Sequence, residues 1–363
     1  MSKGISRISL AIIAVVVIVG GAAYAYYALQ PAAPPQQVAP APKPAPQPQQ
    51  PAPVPKPPPA PIVMEKVKVA GLTTVFGATD LIVQAGKERS IWASNGLDPE
   101  FVTVPRSALA ISDLKEFVSS GVKMGLQSTV DTLSARADGA PVKIVAGYTG
   151  DPIALKIFGK PDSTIKTPQE LDGKKIGVIS NTHSTARAVI LLSQKFSIKP
   201  ELVPLGNLSN SLAALKAGRI DAISSAEVNA YRLVDSGELK ILVPSGDYYP
   251  KPWAAGGVWA TDDLIKENPD LVKKFGKATL ETVKYLKENP NYAADLLVKG
   301  AKVSKEVADK TVSLITWKPG GRGSGKDLAA ALTNSWEVGK ATGAVPASAN
   351  VKIDEAVDIR FLQ

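Results

Sequence analysis

The chain has 363 residues, 45% of them hydrophobic, which is long enough for two or three lobes with sizeable cores. It contains no cysteine and a single histidine, His183, which excludes disulfides, thiolate metal sites, iron–sulfur clusters and cysteine nucleophiles. The net charge of +9 includes four basic and no acidic residues in 1–61, and the mild excess spread over the remainder does not favour nucleic acid as a partner.

The first predicted element is the uncharged stretch Ile8–Leu29, which at about 1.5 Å per residue reaches roughly 33 Å, the thickness of a bilayer core. We predict a transmembrane helix, so that residues 1–30 form a membrane anchor or signal segment. Lys3 and Arg7 precede the helix and no charge follows until Lys43, which favours a cell-membrane location with the globular part on the extracytoplasmic side. A cleaved signal peptide is the alternative, because the alanine-rich end of the stretch offers a cleavage site.

The next segment, residues 31–62, is about half proline, and alanine, glutamine, valine and lysine make up nearly all the rest. Such a composition cannot build a hydrophobic core and favours the extended polyproline II conformation. We predict a linker that holds the following domain away from the membrane. A ligand for a proline-recognising domain is the less favoured interpretation.

After the linker, strands alternate with helices. The patterns predict strands over 66–72, 100–104, 122–126 and 142–148, and helices over 78–94, 110–119 and 130–137. This alternation is typical of an α/β lobe with a largely parallel sheet. Ligands of such sheets bind beyond the carboxyl ends of the strands, so the residues that follow each strand are the candidates for ligand contacts.

A second α/β unit begins near Pro152. Its predicted strands cover 174–179, 201–204, 222–225 and 240–244, its predicted helices cover 186–196, 212–217 and 228–236, and further helices are predicted over 262–299, 305–313 and 327–342. The polar turn of residues 181–185 opens one of these helices. Its hydroxyls and the unpaired amides of the first helical turn are suited to an anion.

Five segments occur in an order that resembles one family. They are SIWASNGLDPEFVTV and the stretches that begin SSGVKMGLQSTV, TIKTPQELDGKK, SNSLAALKAGRI and ATDDLIKENPDL, and together they cover roughly residues 66–345. The set is similar to the substrate-binding proteins of ABC importers for nitrate, sulfonates, taurine and thiamine precursors, the NMT1/THI5-like family. The resemblance implies a periplasmic-binding-protein type II fold, with residues 63–153 plus 257–363 as lobe 1, residues 154–256 as lobe 2 and a ligand cleft between them that closes by a hinge.

The candidate ligand-binding residues follow from their positions after the predicted strands, which are also the places where the family's contacts fall. They are Thr73, Thr74, Phe76, Gln127, Ser128, Thr129, Asn181, Thr182, His183, Ser184, Thr185, Glu227, Asn229 and Trp253. Each also has a purely structural interpretation as a turn residue, a helix cap, a solvated charge or, for Trp253, hinge packing. Arg187 could bring a positive charge near the cleft, but we interpret it as a residue on a solvated helix face.

The resemblance implies a monomeric solute-binding protein that hands a small molecule to an ABC permease, without a catalytic residue, metal or cofactor. One alternative is a ligand-sensing ectodomain for a membrane signalling partner. Another is an enzyme of thiamine-precursor biosynthesis, but that branch carries a cysteine-rich metal motif, and this chain has no cysteine. A serine hydrolase is disfavoured because no G-x-S-x-G motif is present.

The charge of the ligand is left open by the sequence. The turn over residues 181–185 favours a small organic anion such as a sulfonate, or nitrate. Glu227 or Asp131 inside the cleft would instead favour a cationic or amine-bearing molecule. We expect the anion.

Overall fold

The computed structural model describes residues 64–73, 76–104, 111–318, 320–322 and 327–362, and of these it leaves out the side chains of 72–73, 103–104 and 111–113. The predicted anchor over residues 1–30 and the predicted linker over 31–62 lie outside the described residues. Among the helices of the described part, none combines the length and apolar character needed to cross a bilayer.

The described chain alternates between strands and helices. The strands are β1 (Glu65–Thr73), β2 (Leu97–Val104), β3 (Met124–Ser128), β4 (Val142–Thr149), β5 (Lys156–Gly159), β6 (Lys175–Val178), β7 (Glu201–Pro204), β8 (Ala222–Ser225), β9 (Lys240–Val243) and β10 (Gly256–Thr261). The helices are α1 (Ala78–Glu88), α2 (Ile91–Ser94), α3 (Ile111–Ser119), α4 (Thr129–Ala137), α5 (Ser184–Phe196), α6 (Leu208–Lys216), α7 (Val228–Asp235), α8 (Asp262–Glu267), α9 (Pro269–Glu288), α10 (Pro290–Ala301), α11 (Lys305–Ser313), α12 (Leu328–Ala341) and α13 (Ile353–Ala356).

The strands form two five-stranded sheets with matching arrangements, ordered β2-β1-β3-β10-β4 and β7-β6-β8-β5-β9. We call the first sheet with its helices the first lobe and the second sheet with its helices the second lobe. Strand β1 pairs parallel with β2 and β3, and β6 pairs parallel with β7 and β8. The predicted α/β fold with two sheets is therefore confirmed.

Each sheet also contains one antiparallel strand that the sequence analysis did not predict, β10 in the first sheet and β5 in the second. Each is the first strand that the chain forms after it leaves the other sheet. The chain therefore passes between the lobes twice, first over residues 150–155 and then over 244–255. These two crossings bring the carboxyl ends of the parallel strands of both sheets toward a shared space.

The helix predicted over 78–94 is two helices, α1 and α2. Ser90 adopts a left-handed backbone conformation with φ 54°, which a continuous right-handed helix cannot contain. The break turns the indole of Trp92 into the core, where it stacks on Phe275 with ring centroids 5.5 Å apart. The prediction of one continuous helix was wrong because the left-handed residue is a serine, not a glycine.

The two lobes touch beside the shared space. Helix α11 of the first lobe packs against α7 of the second, and one hydrophobic cluster includes Phe275 from the first lobe together with Phe158 and Tyr231 from the second. On another side, Nε2 of Gln194 donates a hydrogen bond to the carbonyl of Ala341 at 3.3 Å. These contacts hold the strand ends of the two sheets opposite one another.

Candidate functional site

A cavity of about 280 Å³ lies between the lobes. Its walls come from the carboxyl ends of β3 and β4, the start of α1, the residues that follow β6 and β8, and the first crossing segment. Residues of α10 and α11 and the segment after α11 complete the lining. The cavity thus occupies the position at which α/β sheets bind ligands.

Half of the sequence-predicted residues line this cavity. They are Phe76, Gln127, Ser128, His183, Ser184, Thr185 and Glu227. Gln127 and Ser128 end β3, Phe76 lies between β1 and α1, and the other four lie at the start of a helix that follows a strand. The structure therefore brings together residues from both lobes that are separated by up to about 150 positions in the sequence.

The other predicted residues are placed elsewhere. Thr129 is buried beneath the lining, where its hydroxyl donates to the carbonyl of Ala254, and the ring of Trp253 packs edge-on against Tyr249 at 4.8 Å. Asn181 and Thr182 are exposed in their turn, and Asn229 is half-buried on α7 away from the lining. The side chain of Thr73 and the whole of Thr74 lie outside the described residues.

A buried ion pair crosses the cavity between the lobes. Nη1 of Arg187, on α5, lies 3.0 Å from Oδ1 of Asp131, on α4, and it also donates to the carbonyl of Thr182. The side chains are 3% and 13% exposed. The interpretation of Arg187 as a solvated residue was wrong, because α5 turns this side of its first turn toward the other lobe.

Two further polar atoms in the lining are buried without a hydrogen-bond partner among the described residues. One is the donor Nε of Arg187 and the other is the acceptor Oδ1 of Asp151. The second oxygen of Asp151 lies 3.6 Å from Nζ of Lys251. Buried polar groups are nearly always hydrogen-bonded. A bound molecule that offers one acceptor and one donor would therefore supply the missing partners of Nε of Arg187 and Oδ1 of Asp151.

The start of α5 is already capped by its own residues. Nδ1 of His183 accepts a hydrogen bond from the amide of Thr185 at 3.3 Å, so the proton of the neutral ring lies on Nε2. The hydroxyl of Thr185 in turn accepts from the amide of Ile179 at 3.1 Å. These contacts use one of the first-turn amides that the anion prediction relied on.

The charges on the cavity wall are mainly negative. Asp131, Asp151 and Glu227 contribute carboxyl groups, whereas Arg187 is the guanidinium among the lining residues and is shared with Asp131. His183 adds an imidazole ring. A positively charged or hydrogen-bond-donating ligand therefore meets more favourable partners here than a bare anion does.

One side of the cavity is apolar. Phe76, Leu297, Leu314 and Ile315 lie on this side, and α10 and α11 pack against each other to hold two of them in place. The lining residues of α10 and of the segment after α11 were not predicted from the sequence, because they follow no strand. Their contribution gives the cavity a surface for a flat or aliphatic group.

The hydroxyl of Tyr148, at the end of β4, lies in the cavity wall 3.2 Å from Oγ1 of Thr79. Burial raises the pKa of Tyr148 to about 12. Burial likewise raises the pKa of Tyr249 to about 12, although the guanidinium of Arg187 opposes that effect. Both phenols therefore remain neutral hydrogen-bonding groups at physiological pH.

These raised pKa values predict a loss of stability in alkali. The unfolded chain releases tyrosine protons near pH 10 whereas folded Tyr148 and Tyr249 keep theirs to about 12, so the folded state binds more protons between these values and its free energy of unfolding falls as the pH rises. Replacing Tyr148 by phenylalanine should make this fall shallower. Urea unfolding of both proteins at several pH values from about 8.5 to 11.5 measures it, and equal slopes would contradict the assignment.

The sequence and the fold have known relatives. The profile of proteins described as NMT1/THI5 like matches residues 83–293. The yeast Saccharomyces cerevisiae 4-amino-5-hydroxymethyl-2-methylpyrimidine phosphate synthase THI12 is 28% identical over 192 residues, which cover 49% of this chain and 56% of the synthase. The riboflavin-binding protein RibY of Chloroflexus aurantiacus is 28% identical over 182 residues, covering 49% of this chain and 50% of RibY. The chain thus spans about half the length of these curated relatives.

Solved structures share the fold over most of the described chain. The periplasmic aliphatic sulphonate binding protein SsuA from Escherichia coli superposes with a TM-score of 0.66 at 16% identity, over 81% of this chain and 92% of SsuA. A putative periplasmic sulfonate-binding protein from Methylobacillus flagellatus gives a TM-score of 0.65 at 19% identity, over 82% and 93% of the two chains. At these identities the likeness concerns the fold.

Proposed function

The chain belongs to the NMT1/THI5-like family, and from this membership we propose that it captures a small molecule outside the cytoplasm and delivers it to an ABC permease. The observation that carries the proposal is the cavity between the lobes, with its buried unpaired donor and acceptor. The two lobes close around the ligand. One lobe consists of residues 63–153 plus 257–363, and the other consists of residues 154–256. A monomer, held near the permease by residues 1–30 and the linker 31–62, suits this role.

For the ligand we propose a nitrogen heterocycle that carries amino or ring N–H groups. Carboxylates accept hydrogen bonds from such groups, and Asp131, Asp151 and Glu227 lie in the cavity wall. The apolar side with Phe76 offers a surface for the flat ring. The names of the relatives support this class, since one is a synthase of an aminopyrimidine phosphate and another binds riboflavin.

A sulfonate or similar organic anion is the second candidate. Nε of Arg187 is a buried donor in the cavity wall without a partner among the described residues, and a sulfonate oxygen would accept its hydrogen bond. The expectation from the sequence rested on the turn over residues 181–185, of which Asn181 and Thr182 lie outside the lining. The anion would also have to compete with Asp131 for the guanidinium.

A panel of ligands tests both candidates. Residues 62–363 are titrated by isothermal calorimetry with 4-amino-5-hydroxymethyl-2-methylpyrimidine, riboflavin, taurine, ethanesulfonate and nitrate. We expect micromolar or tighter binding of the aminopyrimidine, and binding of only the sulfonates or nitrate would overturn the proposed class. A permease gene next to the gene for this chain would support delivery to an importer.

A further inference from the structure

The ring of Phe76, which lines the cavity, packs directly against the backbone of α10. A methyl group added at Gly300, in the last turn of α10, would lie 2.3 Å from Cε2 of Phe76, 2.5 Å from Cδ2 and 2.6 Å from Cζ. Carbon atoms in contact normally stand about 3.5–4.0 Å apart. Any side chain at position 300 therefore forces the ring of Phe76 away from α10 by about 1 Å or more.

The backbone at this position does not itself require glycine. Gly300 is absent from the described glycines with positive φ, and it continues a regular helix. A glycine inside a helix is less favourable than an alanine. An alanine at position 300 would disturb the close packing of the Phe76 ring against α10.

The direction in which the ring would move follows from the face of α10 involved. Leu297 lines the cavity, and Gly300, three residues further on, lies on the same face of the helix. Phe76 covers Gly300 and lines the same cavity. A ring lifted off α10 is therefore displaced toward the cavity.

We infer that Gly300 is a positioning residue that sets the length of ligand the cavity accepts, by letting Phe76 lie flat on α10. The inference rests on the proposed function only in that the cavity is the ligand site. Gly300 touches no ligand itself, and its effect passes through the ring of Phe76. Proteins of this architecture with a side chain at this position should have a shorter apolar end.

The experiment combines structure and binding. Crystal structures of the unaltered protein and of Gly300→Ala should show the ring of Phe76 displaced into the cavity and a volume below the present value of about 280 Å³. Binding is followed with 4-amino-5-hydroxymethylpyrimidines that carry methyl, propyl or pentyl groups at position 2. Gly300→Ala should keep the methyl compound within threefold and lose at least tenfold in affinity for the pentyl compound.

Two further variants separate this effect from a loss of folding. Gly276→Ala, on α9, is the matched control, because a methyl group there meets no atom within 4 Å. Gly276→Ala should leave the affinity for all three pyrimidines unchanged. Adding Phe76→Leu to Gly300→Ala should restore binding of the pentyl compound, which a general structural defect would not do.

The outcomes distinguish the inference from the proposed function. If the ring stays in place or moves away from the cavity, or if Gly300→Ala weakens all three compounds equally and Phe76→Leu does not rescue it, the inference fails. If the ring enters the cavity as expected but the unaltered protein binds none of the three pyrimidines, the proposed ligand class fails and the role of Gly300 stands on the measured volume.

Discussion

Replacing Asp131 by alanine is expected to lower the free energy of unfolding by about 3 kcal/mol, within the range of roughly 3–5 kcal/mol found when one partner of a buried ion pair is removed. The side chain of Arg187 is 3% exposed, and its guanidinium would lose the carboxylate that lies 3.0 Å away. Its Nε lacks a partner among the described residues, and the contacts that remain, with the carbonyl of Thr182 and the phenol of Tyr249, carry no negative charge that could balance the buried guanidinium.

The pair also joins the two lobes, which adds a second readout. Asp131 belongs to the first lobe and Arg187 to the second, so the stranded guanidinium can regain water if the lobes separate. We therefore expect the unliganded Asp131→Ala protein to have a larger radius of gyration in small-angle X-ray scattering than the unaltered protein. A ligand that binds both lobes should reverse the increase.

Controls make the stability prediction specific. Glu267→Ala removes the partner of Lys123 from an ion pair at 3.5 Å whose side chains are 47% and 65% exposed, and its urea midpoint should be unchanged within error. The double variant Asp131→Leu with Arg187→Met removes both charges and should be more stable than Asp131→Ala. A midpoint for Asp131→Ala equal to that of Glu267→Ala would show that the pair contributes nothing.

The ion pair marks the limit of what the sequence alone could predict. Short apolar runs bounded by turn residues located strands such as β8 at their exact bounds, because the run and the turns that flank it are local features of the sequence. The burial of Arg187 depends instead on Asp131, 56 residues earlier and on another lobe. No periodicity within α5 carries that information.

The two strands that were not predicted and part of the cavity wall likewise depend on contacts between residues that are distant in the sequence. Strand β10 begins Gly256–Gly257, which is typical of a loop, and it becomes a strand because β3 and β4 hold it between them. In the cavity, residues that follow strands were predictable from the general position of ligand sites in α/β sheets. Leu297 and Leu314 were not, since their positions are fixed by the packing of α10 and α11.

The second large effect is expected at Asp151, in the first crossing segment. Oδ1 of Asp151 is a buried acceptor in the cavity wall, without a partner among the described residues, and is the natural partner for an amino group of the proposed ligand. A hydrogen bond to a charged group contributes about 1.5–3 kcal/mol. Asp151→Asn should therefore weaken binding of 4-amino-5-hydroxymethyl-2-methylpyrimidine by roughly 10- to 100-fold in calorimetry.

The variant Lys251→Gln separates the role of the carboxylate from that of its ion pair. Nζ of Lys251 lies 3.6 Å from Oδ2 of Asp151, and the lysine side chain is 65% exposed, so its replacement leaves the carboxylate in place. Affinity for the aminopyrimidine should stay within threefold or improve, because a competing cation has gone. If instead Asp151→Asn binds as well as the unaltered protein while Lys251→Gln binds poorly, the ligand is recognised through the cationic side of this pair, and an anionic ligand becomes the better assignment.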